Sequence, residues 1–233
     1  MSDKQISADG KSIMRFKWGS RLAHGVHAVI FLLLLFTGCA IAFQGLGNLI
    51  GHDLLKSFVQ LHKTLGLAFL AGPIILLLFS GKNAARWLKD TFSFGKDDLG
   101  FVLAFPKEFF TGHAQTPPQG RYNGGEKINS LLQIAGFFVM LVTGGILYLD
   151  SASPAAIGWA AAIHSFCGLC LGAVVIGHAY LGLLHPSSKA GITGMLTGWV
   201  PMSFAKSHHP LWVAEVEAAE AEKDKEEQAC LPQ

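Results

Sequence analysis

Charge is scarce in this chain. Of its 233 residues only 15% are Asp, Glu, Lys or Arg, against 51% hydrophobic, and the mean hydropathy is +0.40. That shortage argues against the charged surface a soluble domain needs. The net charge of +2 provides no basic field to recruit nucleic acid. Cysteine is scarce too. Cys39, Cys167, Cys170 and Cys230 are too few and too scattered for a disulfide framework. Cys167 and Cys170 form a C-x-x-C, but inside an apolar run and outside any βαβ pattern, so they read as small packing residues. Internal repeats and low-complexity tracts are absent. Scarcest of all are acids within the hydrophobic runs, since none of four long apolar stretches has an Asp or Glu in its interior. A transporter built around midplane carboxylates is therefore disfavoured.

What is present is four runs long enough to span a bilayer. The first, Leu22 to Phe43, follows a polar, basic start (1–21) and is too long for a signal-peptide core. A Gly-rich connection, Gln44 to Phe58, leads to a second span at about Val59 to Ser80, with a mild kink expected at Gly72-Pro73. Residues 82–127 form the longest polar connection. Trp87-Leu88-Lys89 and the stretch from Asp97 to Phe110 there read as interfacial amphipathic helices, followed by a Thr116-Pro117-Pro118 turn. The third span runs from about Ile128 to Leu149 and the fourth from Trp159 to Leu184. The fold expected is an all-α membrane protein: a polar start (1–21), a four-helix transmembrane domain (22–186), and a polar tail (187–233). The end of that tail, Glu215 to Glu227, carries seven acids against two lysines and reads as a solvated helix or disorder.

Cation counts orient the spans. The N-terminal segment carries five (Lys4, Lys11, Arg15, Lys17, Arg21) and the 82–127 connection seven, whereas Lys56 stands alone between spans one and two and none lies between three and four. The positive-inside rule then puts both termini and the long connection in the cytoplasm.

Orientation converts histidine position into depth. In the fourth span His164 and His178 are 14 residues apart, roughly 21 Å along a helix and nearly on one face. His164 falls on the extracytoplasmic side with His62 of the second span. His178 falls on the cytoplasmic side with His24 and His27 of the first, of which His24 better fits the interface depth. Polar side chains in a span are expensive, and two layers of facing imidazoles suit bis-histidine ligation of two b-type haems. Small residues stand four positions after each histidine: Gly66, Gly168, Gly182 and, after His24, Ala28 with Gly25 adjacent. They would give a flat macrocycle clearance. His185 lies about 31 Å from His164 on a helix, at the membrane edge, and is a poor ligand candidate.

With these histidines, three further segments carry a resemblance. Arg121-Tyr122-Asn123-Gly124-Gly125-Glu126-Lys127 resembles a K-Y-N-A-G-Q-K segment. Gly194-Met195-Leu196-Thr197-Gly198 resembles G-M-x-x-G, and Lys206-Ser207-His208-His209-Pro210-Leu211-Trp212 resembles K-H-H-P-R-W. From about Arg15 to Glu217 the chain resembles the cytochrome b (gamma) subunit of formate dehydrogenase-N-like membrane enzymes. Departures are Gly25 for the usual Trp after the first ligand, Lys63 for a Pro after the second, and His185-Pro186 at the end of the fourth span.

The resemblance implies two haems b, held by His24 with His178 and by His62 with His164. Arg21-Leu22-Ala23-His24 matches the family's R-x-x-H and so selects His24 over His27. It further implies a quinone site, of the menaquinone type, beside the cytoplasmic haem with Asn123 as a contact. An asparagine amide can donate to a quinone carbonyl, and Asn123-Gly124 also reads as a helix N-cap turn. Partners would be an iron–sulfur (beta) subunit and a molybdenum- or tungsten-pterin catalytic (alpha) subunit in a bacterial inner membrane. No motif for pterin or cluster binding occurs in this chain. The alternatives are a cytochrome b of a hydrogenase or thiosulfate-type reductase, or a haem-free anchor or transporter. His208-His209 reads as a structural motif, for want of further clustered ligands.

Overall fold

The computed structural model describes residues 4–111 and 115–229; Cys230 lies outside them. Four helices have the length and composition to cross a membrane: α1 (Trp18–Ala42), α3 (His52–Phe92), α5 (Gly124–Leu149) and α6 (Pro154–Leu183). Phe36, Leu78, Leu149, Trp159 and Phe166 are each more than 60% exposed on these helices. Such faces suit hydrocarbon, and a helix satisfies its own backbone polar groups there.

Local chemistry sets the helix boundaries. Pro154 stands at the first position of α6, where its missing N–H costs nothing, and the Ser153 hydroxyl caps the Ala156 N–H at 3.3 Å. At the end of α5 the chain turns through Asp150 at φ 47°, a left-handed conformation that Asp tolerates. Two expectations are corrected. The Gln44–Phe58 connection is mostly helical: α2 (Gln44–Ile50) fills its first half, and α3 begins at His52 after Gly51, whose φ of 84° favours glycine. The non-helical residue inside α3 is Ser80 (φ −146°, ψ 28°), just before Gly81, instead of Gly72-Pro73. A Ser/Gly pair is a common place for a helix to break.

The chain divides into two compact units. One comprises residues 22–85 and 130–178, the membrane-length portions of α1, α3, α5 and α6. Small residues let these helices approach. A Cβ built on Gly136 would stand 2.5 Å from Leu171 Cδ2, and one on Gly172 2.8 Å from Leu35 Cδ1.

The other unit gathers residues 4–21, 86–129 and 179–229. It amends the all-helical expectation by a small antiparallel pair, in which β1 (Ser12–Met14) faces β2 (Trp199–Pro201) with Ile13 opposite Val200. α7 (Ile192–Leu196) and α8 (Met202–His208) pack on these strands, α9 (Pro210–Ala229) packs on α8, and α4 (Lys96–Thr111) belongs to the same unit. Ile13, Val200, Phe204, Ala205, Trp212, Val213 and Val216 form its core. Gly198 (φ 97°) accommodates the turn into β2, and its carbonyl accepts from the N–H groups of Arg15 and Phe16. The Arg21 side chain donates to the carbonyls of Met195 and Leu196, which end α7.

Arg15 is 3% exposed and pairs with Glu126 at 2.8 Å while donating to the Arg121 carbonyl at 2.8 Å. Removing one member of such a pair leaves an uncompensated charge. Arg15→Met should therefore cost about 3 kcal/mol, the low end of the usual range because Glu126 is a third exposed. Arg15→Met/Glu126→Gln should recover most of it in denaturant titrations of the detergent-solubilised protein; a single-variant loss below about 1 kcal/mol would contradict the pairing.

His209, 1% exposed, donates from Nδ1 to the Gly120 carbonyl at 2.8 Å. Burial, then the charge of Arg15, lowers its pKa from 6.5 to about 4. The fold thus holds it neutral. That stabilisation is complete above pH 6.5, declines as pH falls towards 4, and totals on the order of 3 kcal/mol. His209→Gln should flatten stability against pH between 6.5 and 4, and an unchanged slope would be the contrary result.

Candidate functional site

Four histidines of the membrane-length helices come together in two pairs. The His24 and His178 rings, from α1 and α6, have their centres 6.3 Å apart; His62 and His164, from α3 and α6, have theirs 6.2 Å apart. Two metal–imidazole bonds of about 2.0–2.1 Å each, plus roughly 1.1 Å from each nitrogen to its ring centre, give about 6.3 Å across one metal ion. Both pairs therefore have the spacing of bis-imidazole coordination.

The sequence reading missed what stands behind the second pair. Thr37 of α1 lies 2.9 Å from His62 Nδ1, and Thr143 of α5 lies 2.9 Å from His164 Nδ1. Each threonine is buried and is followed by a glycine. A Cβ on Gly38 would stand 3.2 Å from His62 Cε1, and one on Gly144 3.2 Å from His164 Cε1. The recurring Thr-Gly in two apolar runs is the signal that would have found them. By contrast, a Cβ on Gly25 or Gly66 would meet no protein atom within 4 Å, and one on Gly168 only Met140 Cε at 3.6 Å. Gly182 is equally open. Neutral nitrogen donors in facing pairs with space along their helices fit a planar haem.

His27 is placed differently. Its ring stacks on Phe69 at 4.1 Å, and its Nδ1 lies against Gly72. His185 is buried between Phe109, on which it stacks at 5.1 Å, and Ser187, whose hydroxyl is 3.1 Å from Nδ1. His208 stacks on Phe204 at 4.4 Å, and His209 packs in the core of its unit. Among the described residues no cluster of three or more His, Cys, Asp or Glu side chains could hold a metal ion.

Asn123 opens α5 in a reciprocal cap. Its Oδ1 accepts from the Glu126 N–H at 2.9 Å, and its own N–H donates to the Glu126 carboxylate at 3.0 Å. That is a capping box. Gln119 Oε1 receives the Gly124 N–H at 2.9 Å, and Gly124 packs directly on the Asp98 backbone. The segment is held rigidly, and Asn123 Nδ2 has no side-chain or backbone acceptor among the described residues. A polar cavity of about 140 Å³ in the same unit is lined by Asp90, Arg121, Tyr122, Lys127 and Glu215, among others. Burial pushes the Tyr122 phenol up, so it remains a neutral hydroxyl.

Comparison with known proteins gives the architecture its context. The family model for prokaryotic cytochrome b561 matches residues 15–198, which include all four paired histidines and Asn123. The chain belongs to the prokaryotic cytochrome b561 family. Membership in this family, together with four membrane-length helices, makes it an integral membrane protein, and haem b is the cofactor the family implies. Among similar proteins is the nitrate-inducible formate dehydrogenase cytochrome b556(Fdn) subunit of Escherichia coli K12, 28% identical over 225 residues, 93% of this chain and 97% of the relative. The cytochrome b556(fdo) subunit of the same organism is 28% identical over 212 residues, covering 88% and 93%. A formate dehydrogenase cytochrome b556 subunit of Haemophilus influenzae is 27% identical over 237 residues, covering 96% and 91%. The similarity carried by short motifs thus extends over nearly the whole cytochrome b561-family chain.

Filling the space against a paired ring should displace it. Gly144→Leu should lower haem b per polypeptide in the purified protein, whereas Gly45→Ala, in the open on α2, should leave it unchanged. Equal haem content in both variants would contradict the packing of His164 against α5.

Proposed function

We propose that this chain is the membrane-anchoring di-haem cytochrome b subunit of a formate dehydrogenase complex, passing electrons from an iron–sulfur partner to a quinone. The observation that carries the reading is the two imidazole pairs at 6.2 and 6.3 Å, 14 residues apart on α6. When bound, a b haem in each pair supplies one-electron transfer, and the two layers together cover roughly 21 Å of the bilayer. His62 and His164 form the extracytoplasmic layer that receives electrons, and His24 and His178 the cytoplasmic layer that passes them on. Both termini and the 82–127 connection are cytoplasmic, supported by the cation counts, and the membrane is the bacterial inner membrane.

Asn123 is the quinone contact. Capping occupies its Oδ1, and the amide Nδ2, without an acceptor among the described residues, is the proposed donor to a quinone carbonyl. Donation there stabilises the oxygen as negative charge grows on reduction. Asp90 and Glu215, which line the polar cavity of the same unit, are the carboxylates proposed to hand protons to the quinone. Electron and proton would then reach quinone from opposite faces, which moves charge across the membrane. The names of the three relatives support formate as the donor and a complex of several subunits; the partners proposed are an iron–sulfur subunit and a pterin-bearing catalytic subunit.

Redox spectra of the purified complex test this reading. Two b haems are expected per chain, falling to one in His178→Ala and in His62→Ala. Asn123→Ser keeps a capping oxygen and removes the amide donor. It should leave formate-dependent haem reduction intact and slow quinone reduction at least tenfold, the loss of about one good hydrogen bond. A count of two in His178→Ala, or wild-type quinone reduction in Asn123→Ser, would overturn the corresponding assignment.

A further inference from the structure

The His62–His164 pair has a support that the His24–His178 pair lacks among the described residues. The Thr37 hydroxyl lies 2.8 Å from the Leu33 carbonyl, and that of Thr143 lies 2.7 Å from the Val139 carbonyl, each the carbonyl four residues back. A hydroxyl has one hydrogen and two lone pairs. With the hydrogen directed at a carbonyl, which can only accept, the oxygen faces the imidazole as an acceptor. Nδ1 then carries the ring hydrogen in both histidines. A neutral imidazole has only one, so each Nε2 is left with a bare lone pair. The Thr37 hydroxyl also lies 3.2 Å from the Leu34 carbonyl, a second acceptor for the same hydrogen.

The glycines complete the arrangement. Gly38 and Gly144 follow the threonines, and each lets an imidazole edge approach a neighbouring helix to a distance a side chain would crowd. A Thr-Gly pair on α1 and another on α5 thus hold two rings in the same way, from two different helices. That repetition at unrelated positions is not explained by helix packing alone.

We propose that Thr37 and Thr143 are positioning residues that fix the Nδ1–H tautomer of His62 and His164, strengthen both as ligands, and so set the potential of one haem apart from the other. The proposal rests on the di-haem reading above. A ring whose outer N–H donates a hydrogen bond is a more basic ligand. A more basic ligand favours ferric iron, so these two threonines lower the potential of the haem they serve.

Potentiometric titration of the purified holo-complex, with haem counted in each sample, tests it. Thr143→Val keeps the shape and deletes the acceptor. One of the two haem potentials should rise while the other stays put, at an unchanged count of two. Thr143→Ser should restore the wild-type value. Thr37→Val should give a shift of the same sign at the same haem. If Thr143→Val sheds a haem, regain of that haem and of its potential in Thr143→Ser supports the proposal equally. Wild-type potentials in Thr143→Val, equal shifts of both haems, or failure of Thr143→Ser to restore what Thr143→Val loses would overturn it. Failure of the underlying reading looks different: His164→Ala would then retain two haems.

Discussion

A neutral imidazole buried in a hydrocarbon layer must find a partner for each of its two nitrogens, and most of the membrane portion of this protein is arranged around that requirement. Leaving a polar group unsatisfied there costs several kcal/mol, about the whole stability margin of a small domain. Four histidines stand in two pairs with ring centres 6.2–6.3 Å apart. One metal ion between each pair would satisfy two nitrogens at once. In the His62–His164 pair, buried threonine hydroxyls take up the outer nitrogens. The glycines of α1 and α5 then follow as a steric consequence, because a ring oriented this way needs a helix surface without a side chain beside it.

The second unit solves a different problem. Its segments come from the start, middle and end of the chain; a short β pair with a small apolar core ties start to end, and hydrogen bonds from Arg15, His209 and Leu211 bring in the middle. Arg15 is central to it, with its guanidinium on Glu126 and the Arg121 carbonyl while its own carbonyl accepts from Arg121. The three segments that carried the family resemblance all have structural duties here. Residues 121–127 form the capped start of α5, and 194–198 end α7 against Arg21. Residues 206–212 lock to the 119–120 backbone through His209 and Leu211. A recognisable motif can therefore carry structural support, as Asn123 does in capping α5.

The spans and the identity of the paired histidines were legible because the bilayer imposes long apolar runs and makes every polar interruption conspicuous. Cation asymmetry added depth. What was not legible came from interactions that cross between segments. Thr37 and Thr143 are ordinary residues in apolar helices, often bonded to their own backbone, and only proximity to a ring reveals a second partner. The break at Ser80 lost out to Pro73 because proline is the stronger local signal, although neighbouring helices can absorb its missing bond. The helical character of 44–58 was hidden by glycines that suggested a loop. The pairing of β1 with β2 joins residues nearly 190 positions apart, and three-residue strands carry no periodicity to detect.

The central claim is that each facing pair of imidazoles ligates one haem iron from both sides. Low-temperature electron paramagnetic resonance of the oxidised, purified protein reads the ligand field of each iron directly. Two low-spin ferric signals of bis-imidazole type, in equal amounts and with distinct g values, are the expected result. A single low-spin signal, a high-spin ferric signal of comparable size, or none would contradict paired ligation by His24 with His178 and His62 with His164.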